Sequence, residues 1–138
     1  MNIILTINKN NILSSIKSIT GFTGKNIEGK IDNISVTDDE ETIISDLIKK
    51  ATTNIVGSLF LYSAILSDAD ISLTLPANYN NNATASAISL LENTIVNYAS
   101  SSWFYIARLD KDAETYLNKA GSTLAELQDV LCSRNKPL

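Results

Sequence analysis

Apolar side chains recur at every second position of residues 3–7, and this period of two predicts a short strand with one buried face. A second alternation spans residues 71–75 and ends at Pro76, which has no backbone amide to donate. An isolated strand is not stable, and the chain has no other clear segment of this period. We therefore expect the two segments to pair.

Other parts of the chain carry apolar residues at spacings of three and four, which is typical of amphipathic helices. The first such helix begins at Ile12 and is short, because Gly21 and Gly24 supply a stop. The second begins at Thr37 with an acidic first turn that fits a capping box, and its apolar stripe continues to about Leu66. The pattern thus predicts a long central helix.

Residues 25–36 have no sustained period and are interpreted as a loop. A third helix opens near Thr84, after an asparagine-rich surface loop, and its wide apolar arc continues to Ile106. A final helix follows, with Asp110 or Asp112 as its cap.

The final helix carries apolar residues at alternating intervals of four and three. Such a seam predicts close, nearly antiparallel packing against a neighbouring helix. Gly121 lies within it and costs about 1 kcal/mol of helix stability, which favours fraying or a close backbone contact there. The seam consists of Ala113, Leu117, Ala120, Leu124, Leu127 and Leu131.

These patterns predict a mainly α fold with three long amphipathic helices, one short helix and a minor two-stranded β element. The chain has 138 residues, of which 44% are hydrophobic, enough for one core. We expect a single helical domain over residues 1–138. Residues 1–36 form its N-terminal extension of strand, short helix and loop, and residues 37–137 form its helical core.

Charge changes the picture of possible partners. The 11 basic and 15 acidic residues give a net charge of −4, so the chain lacks the positive field that holds a phosphate backbone. We expect no sequence-specific nucleic-acid partner. Residues 1–30 carry four lysines against one glutamate, whereas residues 31–98 carry nine acids against two lysines. This polarity favours head-to-tail contact between identical copies, with a solvated acidic face as the alternative.

No familiar chemistry is visible in the sequence. Histidine is absent and Cys132 is the single cysteine, so no Cys/His pair exists and an internal disulfide cannot form. Asp110 and Asp112 could act as a general acid and a general base. Helix capping explains their position in the sequence without a further assumption. We expect no catalytic, cofactor-binding or metal-binding residue.

We also expect no export signal and no membrane partner. The N-terminus lacks a basic region, and its apolar run is broken by Thr6 and Asn8. Polar residues interrupt the uncharged apolar stretch of residues 51–67, which is interpreted as a buried helix. A reducing, cytoplasmic setting fits these features.

The densest aromatic cluster is a candidate interface. Trp103, Phe104 and Tyr105 point in three directions on a helix, so they cannot all enter one core. Together with Arg134 and Lys136 near the end of the final helix, they are interpreted as a possible interface. The alternative is a core Trp103, with Tyr105 directing its hydroxyl to water.

With its elements in this order, the chain resembles the head–tail connector or adaptor proteins of tailed bacteriophages. Residues 37–51, Thr-Asp-Asp-Glu-Glu-Thr-Ile-Ile-Ser-Asp-Leu-Ile-Lys-Lys-Ala, look like the acidic opening of that family's first long helix. Residues 98–103, 113–116 and 131–137 are also similar to such proteins. The resemblance covers about residues 37–137, and the segment 1–36 departs from it.

The resemblance implies a mainly helical structural subunit of the virion, assembled in the bacterial host cytoplasm and located at the neck. It implies a homo-oligomeric ring, dodecameric in this family, that contacts portal and tail or neck proteins without catalysis. The rival hypothesis is a small helical binding or regulatory module, such as an antitoxin or inhibitor, with a one-to-one protein partner. An enzyme with an unfamiliar carboxylate site is a third hypothesis.

Overall fold

The computed structural model describes residues 2–28, 41–67 and 70–132, with residues 21–28, 41 and 60 described through their backbone alone. Within these ranges the fold is mainly helical, with four helices and one antiparallel sheet, which confirms the predicted fold class. The helices and strands are β1 (Asn2–Thr6), α1 (Lys9–Glu28), α2 (Glu41–Ser58), β2 (Ile65–Ser67), β3 (Asp70–Thr74), α3 (Thr84–Ile106) and α4 (Asp110–Leu131).

The sheet has the strand order β1-β3-β2, and both pairs are antiparallel. The predicted pairing of the first strand with the segment before Pro76 is confirmed, with Ile3 opposite Leu73 and Leu5 opposite Ile71. The sequence patterns predict two strands, whereas the sheet has three, and β2 is the strand that they miss. Its residues lie in the segment that the patterns assign to a long helix.

α2 ends at Ser58, so the expected helix to about Leu66 is wrong, as is a helix over the whole of residues 51–67. Gly57 and Ser58 are weak helix formers, and they coincide with the helix end. A short 3₁₀ turn follows, and Ser63 then adopts a left-handed φ of 51°. This turn leads the chain into β2, where the backbone groups of Ile65–Ser67 pair with β3 instead of continuing a helix.

α1 is longer than expected at both ends and has 20 residues. Asn8 precedes it, and its side-chain Oδ1 accepts a hydrogen bond from the Asn11 amide at 3.1 Å, as an N-cap does. The carboxylate of Glu92, on α3, accepts from the Asn8 amide at 2.9 Å.

The C-terminal part of α1 continues through Gly21 and Gly24, so the expected stop there is wrong. Residues 25–28 are helical rather than loop, and the rest of that predicted loop, 29–36, lies outside the described residues.

α3 occupies the centre of the molecule and packs against α1, α2, α4 and β1. Cover on several sides explains its wide apolar arc. Its buried residues are Ala87, Leu91, Thr94, Ile95, Val96, Ala99, Ser100, Ser101, Trp103 and Phe104.

α4 lies antiparallel to α3, because Thr94 contacts Thr123 whereas Ser101, further along α3, contacts Ala113. The predicted seam is largely buried against α3 and its neighbours. Leu117 is the exception, at 42% exposed. The buried seam residues are Ala113, Ala120, Leu127 and Leu131, and Leu124 is half-buried.

The start of α4 differs from the predicted cap. Leu109 holds the N-cap position, and no side chain forms a cap hydrogen bond there. Asp110 and Asp112 lie in the first turn, where their negative charge interacts favourably with the helix dipole.

The predicted close backbone contact at Gly121 is also wrong, since no atom lies within 4 Å of the position that a Cβ would occupy. The predicted capping box at Thr37 lies outside the described residues.

The buried side chains of β1, β3 and all four helices form one continuous core cluster. Ile3 and Leu5 enter it from β1, and Ile71 and Leu73 enter it from β3. The sheet therefore covers the core with one face, and its other face points away from the core.

Candidate interaction surface

The outer face of the sheet is formed by short, mostly uncharged side chains and two isoleucines. Ile4 lies opposite Ser72 on one side, and Ile65 lies opposite Ser72 on the other. The three residues thus form one row across the sheet, which we call the outer row. Ile4 is 58% exposed and Ile65 is 65% exposed, so the row has an exposed isoleucine at each end.

Hydrogen bonds on either side of the outer row hold its neighbours in place. The Thr6 hydroxyl donates to the Asp70 carboxylate at 2.7 Å, and the Thr74 hydroxyl donates to Asn2 Oδ1 at 3.2 Å. Asp70 carries the single charge of this face among the described strand residues. The face is therefore nearly neutral, and its two large apolar groups lie at opposite edges.

The two edge strands differ in the features that limit further strand pairing: β1 has five residues without lysine or proline, whereas β2 has only three residues, and a very short edge strand is itself such a feature. Other such features are lysine, proline, inward charge and β-bulges. β1 reads Asn-Ile-Ile-Leu-Thr, β2 reads Ile-Leu-Ser, and each pairs with β3 in unbroken register. No fourth strand belongs to this sheet among residues 2–28, 41–67 and 70–132. β1 therefore has the composition of an edge strand that accepts a partner.

A groove of about 600 Å³ lies between the start of α1 and the middle of α2. Both helices pack on α3, and Ile7, just after β1, and Leu66, in β2, complete the groove. Lys9, Asp46 and Lys49 place charges of both signs around it. Its apolar lining residues are Ile7, Leu13, Ile48 and Leu66.

The aromatic cluster divides between core and surface. Trp103 and Phe104 are buried, while Tyr105 is 47% exposed. The Phe104 ring lies 5.5 Å from the ring of Tyr116 on α4, so these two help to hold the helix pair together. Of the three, Tyr105 alone presents a large surface to a partner. Arg134 and Lys136, the other candidate interface residues, lie outside the described residues.

Tyr116 is the described side chain whose ionisation is clearly shifted. Burial raises the pKa of its hydroxyl above the ordinary value of 10.0, and the nearby negative charge of Asp112 raises it further. Lys119 lies with its Nζ 4.5 Å from the centre of the same ring. The shift therefore reflects the packing of α4 on α3.

Sequence reasoning missed the outer row. One signal for it was present, because Ile4 is apolar at a position where the alternation of β1 requires a polar residue. Ile65 gave no signal, because it falls within the long helix that the sequence pattern predicts to about Leu66. The exposed large apolar side chains of the described residues are Ile4, Ile43, Leu61, Ile65, Tyr105, Ile106 and Leu117.

Within the described part of the chain, no group of three or more His, Cys, Asp or Glu side chains is placed to hold a metal ion. In the same part, no helix has the length and apolar character needed to cross a bilayer.

Comparisons with protein-family models, curated proteins and solved structures gave no match. The resemblance to phage connector proteins therefore stays a prediction.

Proposed function

We propose that this chain is a structural subunit that assembles with copies of itself into a closed ring. The resemblance of residues 37–137 supplies the setting, the portal–tail junction of a tailed phage. There the ring contacts portal and tail or neck proteins. The observation that carries the proposal is the exposure of Ile4 and Ile65 on the two outer strands of a sheet that has no fourth strand among the described residues.

Two unlike edges favour a ring over a simple dimer. A contact that joins two different patches of the same surface is heterologous, and it repeats until rotation closes it. A dimer with a two-fold axis would use one edge and leave the other unpaired. Exposed apolar side chains at both edges give each subunit two contacts of this kind.

Light scattering of the purified protein, alone and with a portal protein as template, tests the proposal. We expect a single large species in at least one of the two conditions, with a mass that is a whole multiple of the 15.0 kDa subunit. A monomer in both conditions would contradict the proposal.

The groove between α1 and α2 favours a second candidate, a binding module with a one-to-one protein partner. An apolar lining with charges of both signs at the rim suits a helix or an extended segment of another protein. This candidate predicts a complex with one copy of each protein. Replacement of Lys49, an exposed residue of the groove, by glutamate would weaken such a complex and leave self-assembly unchanged.

A further inference from the structure

We draw no further inference here: the strongest candidate, the groove between the start of α1 and the middle of α2, has charges of both signs around its apolar lining, and nothing in the structure shows what covers it.

Discussion

Arg108 reverses the chain between α3 and α4 in a backbone conformation that residues with a side chain rarely adopt. Its φ is 63°, its amide donates to the Tyr105 carbonyl at 3.1 Å, and the next amide, of Leu109, donates to the Phe104 carbonyl at 2.8 Å. This is the hydrogen-bond pattern of a Schellman motif, in which glycine is the usual residue at the left-handed position. The helix pair thus carries a local strain at Arg108.

Replacing Arg108 with glycine should relieve that strain. We expect the free energy of unfolding to rise by about 1 kcal/mol, because glycine adopts a left-handed φ without a Cβ penalty. Urea denaturation measures the change. Ala107→Gly is the control, since Ala107 has a φ of −78° and gains nothing from glycine. Equal effects of the two variants would contradict this explanation.

Gly121 offers a second stabilising change at the residue scale. It lies inside α4, and an added Cβ would meet no atom within 4 Å. Gly121→Ala should therefore raise the unfolding free energy by about 1 kcal/mol, through helix propensity alone. Gly57→Ala, equally open but one residue from the end of α2, should give a smaller gain. Loss of stability in Gly121→Ala would show a contact there.

The raised pKa of Tyr116 predicts a dependence of stability on pH. The folded state holds the phenol proton more tightly than the unfolded state, so this residue's contribution to stability falls as the pH rises above about 10, the ordinary tyrosine value. Ultraviolet difference titration against Tyr116→Phe isolates the group. Asp112→Asn should lower the Tyr116 pKa only part of the way, because burial is the larger cause. Full return to the ordinary value would contradict that order of causes.

At the scale of elements, two adjacent serines in α3 give a matched test of the α3–α4 contact. Ser101 donates from its hydroxyl to the Ala113 carbonyl on α4 at 2.7 Å, in a buried position. Ser100 is buried as well, but its hydroxyl has no hydrogen-bond partner among the described residues. Ser101 thus forms a hydrogen bond to α4, and Ser100 does not.

Ser101→Ala should therefore cost about 1 kcal/mol of unfolding free energy, the usual net value of a buried neutral hydrogen bond. Ser100→Ala should cost nothing or add stability, since it removes an unsatisfied hydroxyl. Thermal or urea unfolding measures both. A larger loss for Ser100→Ala would mean that packing rather than the hydrogen bond joins the helices.

Long periodic elements could be predicted from the sequence, and their limits could be predicted only in part. α3 begins at Thr84 as expected, and the α4 seam is mostly buried, because many residues contribute to each pattern. The end of α2 could not be predicted, because residues 59–66 fit a helical stripe until tertiary pairing draws Ile65–Ser67 to β3. The start of α1 depends on Glu92, which is distant in sequence.

The candidate surface was less predictable than the fold. Tyr105 was among the predicted interface residues and is exposed, whereas Trp103 and Phe104 lie in the core because α3 is covered on several sides. The outer row joins residues from three strands, so its existence depends on a register that composition cannot supply. Ile4 alone carried a local signal, as an apolar residue at an outward position.

In the molecule as a whole, one core buries apolar side chains of all four helices but only one face of the sheet. α3 is surrounded by the other helices and β1, while the sheet uses one face for the core and has no fourth strand in the part of the chain that the structure describes. Apolar side chains on its two outer strands remain in water in a single copy. Assembly with further copies would reduce this exposure.

Native mass spectrometry of the unmodified protein, alone and on a portal template, measures directly whether copies of the chain assemble into a closed ring. We expect one dominant closed assembly whose mass is a fixed multiple of 15.0 kDa, twelve-fold if the resemblance extends to copy number. A protein that stays monomeric in both conditions, or that forms only a one-to-one complex with another protein, would contradict it.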